Sequence, residues 1–184
     1  MRSARRLLHY PRAWDMCLRS TWLAAAVLLV GPAMSARADT LPGSSLALSA
    51  VSLCNTAVEQ TDPEARVAAL DRGLALAEEA LAANDADAAA HFAVFCNLGR
   101  RLQLRPLSWG SLTGIRRVRR EIDRALALAP DSPSALTAKG VMLLELPHLL
   151  GGDASEGVSL LRRALALAPD FTPAQRALVD HPGP

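Results

Sequence analysis

The chain has 184 residues, of which 51% are hydrophobic and only 4% aromatic, which suits a single domain with a buried core. Alanine and leucine dominate and β-branched runs are almost absent, so the composition favours helices over strands. The formal net charge of +2 lacks the strongly basic balance that is typical of nucleic-acid-binding proteins.

The N-terminal part of the sequence has the features of an export signal. An unbroken apolar run covers residues 22–30 and is followed by an A-x-A cleavage motif at residues 36–38. The run is too short to span a bilayer stably, which takes about 20 residues. We therefore predict that residues 1–38 are a cleaved signal peptide, with Met16 as a second candidate for the true start. The mature protein is then expected in the periplasm of a Gram-negative bacterium, with no stable membrane span.

Cleavage would change both the charge and the cysteine content. It would leave 14 basic and 17 acidic residues, a net charge near −3, which argues against a nucleic-acid partner. Cys17 would be lost with the leader, so that Cys54 and Cys96 remain as a pair. Either the two form a disulfide, which persists in oxidising compartments, or they stay as free thiols that pack like small hydrophobic side chains.

Apolar periodicity interrupted by Pro, Asp, Asn and Gly predicts seven helices, the last of them short. Asp62 and Pro63 have the residue types of an N-cap and a first helical position, and Asp153 with Glu156 has the spacing of a capping box. The predicted domain covers residues 39–180, and residues 181–184 are predicted to be a frayed tail. The helices are expected at residues 44–60, 64–83, 86–104, 112–129, 132–146, 153–168 and from 172 onward.

An internal repeat is the strongest pattern after the leader. The eight residues 124–131 recur without change as residues 163–170, at an offset of 39. The alanine and the proline of each copy (Ala125 with Pro130, Ala164 with Pro169) match the second helix and following turn of a tetratricopeptide repeat. In that register Gly140 falls at the close-packing glycine of the family, with Leu136 and Leu143 at apolar anchor positions.

The chain thus resembles tetratricopeptide-repeat proteins. The resemblance implies an all-α fold of antiparallel hairpins stacked in a short right-handed solenoid, about three hairpins plus a C-terminal helix. The unit of 39 residues departs from the usual length of about 34, because the hairpin turn at residues 146–153 is extended. An earlier turn carries a further insertion at residues 105–110, and Phe95 stands at the glycine position of that unit. The extended turn is also similar to that of the T component of TRAP-type transport systems.

In this family the first helix of each hairpin lines a concave groove that receives a partner. The resemblance therefore implies a protein-binding scaffold, with a solute-binding accessory module of a transport system as the alternative; self-association through exposed hairpin edges also stays open. Trp109, in the inserted loop, is either a binding anchor or a plug over the hairpin end. The implied groove residues are Phe92, Cys96, Arg100, Thr137, Val141, Leu144 and Glu145.

No arrangement of reactive residues indicates an enzyme, a cofactor or a metal site. The histidines at positions 91, 148 and 181 lack metal-ligand spacing, and neither remaining cysteine is part of a CxxC motif. Gly151-Gly152-Asp153 is interpreted as a turn and helix cap, with anion binding as the less favoured alternative. The arginines at positions 116, 117, 119, 120 and 124 form either a solvated face paired with Glu121 and Asp123, or a patch for an acidic partner or lipid headgroups.

Overall fold

The computed structural model describes residues 41–104 and 109–181, and for residues 109–111 it describes the helical backbone only. This part of the chain is all-α: it contains seven α-helices, one short 3₁₀ helix at His148–Leu150, and no strand. The predicted signal peptide and residues 182–184 of the predicted tail lie outside the described residues. The helices are α1 (Ser45–Ala57), α2 (Pro63–Ala83), α3 (Ala88–Gln103), α4 (Trp109–Leu128), α5 (Pro133–Glu145), α6 (Ala154–Leu167) and α7 (Thr172–Asp180).

Local sequence signals set most of these helix starts. Five helices begin after a Ser or Asp whose side chain accepts a hydrogen bond from a backbone N–H of the first turn, each cap being worth about 1 kcal/mol. Pro63 and Pro133 occupy first positions, where no N–H is needed. The five cap residues are Ser44, Asp62, Asp87, Ser132 and Asp153.

The start of α4 differs most from the prediction, which was Leu112. The helix begins at Trp109, so the placement of Trp109 in an inserted loop was wrong. Gly110 does not prevent this start, because a single glycine inside a helix costs only about 1 kcal/mol. The other six helices match the predicted bounds to within three residues.

Each helix packs against its neighbour in the sequence, which gives the pairs α1–α2, α3–α4 and α5–α6, with α7 against α5 and α6. The first two pairs share a wide contact because α3 packs against both α1 and α2. The third pair meets the second through a smaller contact between α4 and α5. The α3 helix is thus the centre of the core: from Ala88 to Arg100 only Leu98 is partly exposed.

Helices α5 and α6 approach each other closely where two glycines face. A Cβ atom on Gly140 would lie 2.9 Å from the carbonyl oxygen of Gly157, and one on Gly157 would lie 2.8 Å from that of Gly140. Both distances are shorter than a carbon–oxygen contact allows, so only glycine fits at this crossing. Gly140 therefore has the close-packing role that was expected from the sequence.

A disulfide and a buried amide fix α1 to α3. The sulfur atoms of Cys54 and Cys96 are bonded in the structure, so it contains the disulfide and not the alternative of two free thiols. Near this link, Asn97 is fully buried and its Nδ2 donates hydrogen bonds to the carbonyl oxygens of Ala50, 3.0 Å away, and Ala93, 2.9 Å away. The Ala50 carbonyl belongs to α1, so the amide joins the two helices a second time.

Candidate functional site

The residues predicted to line a groove do not form one exposed surface. Phe92 and Arg100 on α3 and Thr137 on α5 are buried, with 8%, 8% and 6% of their surface exposed. None of the three is an open contact residue: α3 is covered by the helices packed around it, and Thr137 is buried on α5, which packs against α4, α6 and α7. Cys96 is held in the disulfide, and the side chain of Trp109 lies outside the described residues. The α5 residues Val141, Leu144 and Glu145 are partly exposed.

These partly exposed residues lead to the turn between α5 and α6, whose backbone is held by hydrogen bonds. The N–H groups of Leu150 and Gly152 both donate to the carbonyl oxygen of Pro147, at 2.8 and 3.1 Å. The N–H of Asp153 donates to the Leu143 carbonyl at 3.0 Å, which ties the end of the turn back to α5. Gly151 has a φ of 86°, in the left-handed region where a side chain would add strain. The turn therefore has one defined conformation.

Arg119 of α4 holds the same turn from outside. Its Nη1 donates a hydrogen bond to the carbonyl oxygen of Leu150 at 3.1 Å. The guanidinium occupies the space where a Cβ on Gly151 would stand. Glycine is thus required at this position for two reasons, its backbone conformation and the close approach of Arg119. The turn-and-cap interpretation fits this geometry, since Asp153 Oδ1 also accepts from the N–H of Glu156 at 2.9 Å.

At the tip of the turn, Leu149 is 96% exposed, the most exposed large apolar side chain of the described residues. The preceding residue, His148, lines a depression of about 330 Å³, whose apolar part comes from Leu143, Leu144 and Leu146. We call Leu149 together with the residues of this depression the turn surface. Its remaining members are His148, Gly152, Asp153 and Ala154.

The arginines of α4 divide into paired and unpaired side chains. Three of them have partners, of which only Glu121 was expected. Asp123, the other expected partner, instead lies 2.9 Å from Lys139. Arg116 and Arg120 are exposed and have no ion pair or hydrogen bond within the described part of the chain. The paired ones are Arg117 with Glu78 at 2.7 Å and Glu121 at 3.7 Å, Arg124 with Asp85 at 3.5 Å, and Arg119 with the Leu150 carbonyl.

Lys139 fixes α5 between its two neighbours. Its Nζ lies 2.9 Å from Asp123 Oδ1 on α4 and 3.3 Å from Glu156 Oε1 on α6. Burial alone would lower the pKa of Lys139, but the two carboxylates outweigh it and raise that pKa. The lysine therefore keeps its charge and braces the third helix pair against α4.

His91 is a structural tie in this conformation. It is 5% exposed, with Nδ1 2.7 Å from Glu121 Oε2 and Nε2 2.9 Å from the carbonyl oxygen of Asp85. Both ring nitrogens are thus occupied, so the ring offers no free nitrogen to a metal or substrate. The contacts join α3 to α4 and to the turn that precedes α3.

Asp87 fastens the segment before α1 onto the start of α3. It is 2% exposed; Oδ2 accepts from the N–H of Ser44 at 2.8 Å, and Oδ1 accepts from the N–H of Ala90 at 2.9 Å. Leu41 is buried nearby, and the Ala89 N–H donates to the Pro42 carbonyl at 3.1 Å. Burial alone would raise the pKa of Asp87, but the hydrogen bonds that its carboxylate accepts outweigh burial and lower that pKa.

We expect Asp87→Asn to lower the free energy of unfolding at neutral pH by about 1–2 kcal/mol, because one amide oxygen cannot replace two carboxylate oxygens. The lowered pKa means that the carboxylate stabilises the fold fully above the ordinary Asp value of about 3.9 and loses this effect as the pH falls through the lowered value. Urea unfolding between pH 7 and pH 2 should therefore show that the difference in free energy of unfolding between wild type and variant becomes smaller at the acid end.

The control is Asp62→Asn, in which the cap of α2 is exposed and water can replace the lost acceptor. Its destabilisation at neutral pH should be the smaller of the two. A gap between Asp87→Asn and wild type that stayed constant down to pH 2 would contradict this account of Asp87.

The described residues contain no group of three or more His, Cys, Asp or Glu side chains placed to hold a metal ion. Within the same residues, no helix combines the length and the apolar character needed to cross a membrane. No protein-family model matches the sequence, and no curated protein matches it significantly.

Sequence reasoning located the turn but missed Leu149. The signal available was a pair of leucines, Leu149 and Leu150, which follow Pro147 and His148 and precede Gly151-Gly152. That pattern does not say which leucine points outward, since the answer depends on the path of the 3₁₀ helix and on Arg119, which lies 31 residues from Leu150.

Proposed function

We propose that this protein is a non-catalytic helical scaffold, built of tetratricopeptide-like hairpins in a short right-handed solenoid, that binds a protein partner in the periplasm. The observation that carries the proposal is the 96% exposure of Leu149 on a turn held by hydrogen bonds. Burying such a side chain in a partner is worth about 1.5–3 kcal/mol. Because the turn is already ordered, little conformational entropy is lost on binding.

The contact surface in this proposal differs from the groove implied by the sequence. The α5 part of the groove is kept, because Leu144 lines the depression of the turn surface. The α3 part is given up, because Phe92 and Arg100 are buried. The depression is lined from one hairpin only, so it suits a side chain of a partner better than an enclosed solute.

The proposal is tested by site-specific photo-crosslinking in intact cells that express the full chain. A crosslinking amino acid at position 149 should give one dominant protein adduct. The same amino acid at position 179 is the control, since Val179 is also exposed, at 77%, but lies on α7 away from the turn. Equal and diffuse labelling from both positions would contradict the proposal.

A Leu149→Asp substitution should weaken the captured complex by about 10- to 100-fold, the factor that corresponds to the lost burial. The variant should fold normally, because an exposed side chain contributes little to stability. The affinity of the purified partner for wild type, for Leu149→Asp and for Val179→Asp measures the effect. An unchanged affinity for Leu149→Asp would place the contact elsewhere.

A further inference from the structure

Two arginines that the ion pairs of α4 leave unpaired, Arg116 and Arg120, lie on α4 on either side of Arg119, which contacts the turn. Arg119 joins α4 to the turn, because its guanidinium contacts the turn at Leu150 while its backbone lies in α4. Arg116 precedes it by three residues, about 4.5 Å along the helix axis, and Arg120 follows it directly. Arg116 and Arg120 are one helical turn apart, so their side chains share a face.

The acidic groups near these arginines are engaged by other residues. Glu121 contacts His91 and Arg117, and Asp123 contacts Lys139. Asp153, which lines the depression, accepts a hydrogen bond as the cap of α6, and Glu156 contacts Lys139. The exposed charge left on the α4 side of the turn is therefore positive, although the predicted mature chain as a whole is acidic.

We propose that the partner docks an acidic segment carrying an apolar residue onto this composite surface. The apolar residue would contact Leu149 and the depression, and the carboxylates would contact Arg116 and Arg120. Guanidinium groups bind carboxylates through paired hydrogen bonds, which favours a peptide of this chemistry over a neutral one. This inference rests on the proposed function, because it names the chemistry of the partner at the same site.

A single-stranded nucleic acid fits the surface less well. Such ligands need a tract of cations along the backbone and aromatic side chains on which bases stack. Here only two arginines are free, and the turn surface consists of leucines, a histidine, an aspartate and small residues, with no aromatic side chain for stacking. An anionic membrane would satisfy both the cations and the apolar tip, so it is included as an outcome of the test.

The probe is a library of short random peptides displayed on phage and selected against the purified mature protein. The enriched peptides should carry Asp or Glu together with an apolar residue. One enriched peptide, labelled with a fluorophore, is then titrated against wild type, Arg116→Gln/Arg120→Gln and Leu149→Ser. The matched control is Arg162→Gln/Arg176→Gln, which removes the same charge from exposed positions on α6 and α7.

The substitutions at Arg116 and Arg120 should weaken the peptide by about tenfold at about 50 mM NaCl, and the difference should shrink at about 500 mM. Leu149→Ser should weaken it by a similar factor at both salt concentrations, and the control pair should stay within about twofold. Enriched peptides without acidic residues, or equal binding to Arg116→Gln/Arg120→Gln, would overturn the inference.

Two further outcomes separate this inference from the proposed function. A specific crosslink at position 149 combined with non-acidic selected peptides would contradict the inference of an acidic partner segment and would still support the proposed scaffold function. Absence of a specific crosslink at position 149 would contradict the proposed scaffold function itself. Binding of phosphatidylglycerol vesicles that depends on the same arginines and on Leu149, with no enriched peptide, would replace the protein partner by a membrane surface and overturn the inference.

Discussion

Replacing both Cys54 and Cys96 by alanine is expected to lower the free energy of unfolding by about 2–4 kcal/mol. The disulfide links positions 42 residues apart, so it removes many conformations from the unfolded chain. It also joins α1 to α3, the central helix, and both cysteines are buried. Urea unfolding of the oxidised wild type and of the double variant measures the effect directly.

Reduction supplies the control for this result. A reductant should destabilise the wild type by a similar amount and leave the double variant unchanged. Hydrogen exchange should show the loss concentrated in α1, because only non-covalent contacts, such as the hydrogen bond from Asn97 to the Ala50 carbonyl, then hold α1 to α3. Recovery of two alkylated thiols from the unreduced, purified mature protein would show that the link does not form.

Gly140→Ala is expected to lower the free energy of unfolding by about 1–3 kcal/mol. The sign is informative, since alanine is normally better than glycine inside a helix by about 1 kcal/mol. At this position the new Cβ would lie 2.9 Å from the Gly157 carbonyl oxygen. A backbone atom cannot move aside as a flexible side chain can, so α5 and α6 must separate.

The matched control is Gly114→Ala on α4, whose Cβ would meet only the end of the Leu102 side chain, at 2.8 Å. Leu102 can change rotamer, so this variant should be neutral or slightly stabilised. Gly157→Ala should destabilise the protein about as much as Gly140→Ala. The double variant should lose less free energy of unfolding than the sum of the two single losses, because the helices need to separate only once. A stabilised Gly140→Ala would show that the helices are farther apart than described.

The helix positions follow from the sequence because their causes are local. A cap such as Asp62 binds N–H groups two and three residues away, and Pro63 acts on its own turn. The start that the sequence placed least well is that of α4, predicted at Leu112 but found at Trp109, inside the segment interpreted as an inserted turn. Whether the helix pairs stack as the repeat pattern implies stays a prediction.

The candidate site could be predicted only in part. The sequence marked the extended turn at residues 146–153 and the arginines of α4 as unusual features. It did not connect them, because the hydrogen bond from Arg119 to Leu150 spans 31 residues and depends on how α4 meets the third helix pair. It also assigned Phe92 and Arg100 to an open surface from the repeat register alone, whereas packing buries both.

The sequence by itself predicted that the described part of the chain is helical and, to within three residues, where its helices begin and end; the resemblance to the repeat family added Gly140 as a point of close approach. These properties depend on interactions within about four residues or on the size of a single side chain. Only the tertiary structure decided that α3 is enclosed, that Asp123 pairs with Lys139 and not with an arginine of α4, and that Leu149 points to solvent. Each of these features depends on which residues, far apart in the sequence, pack against each other. That packing is set by the free energy of the whole folded chain and not by any local segment.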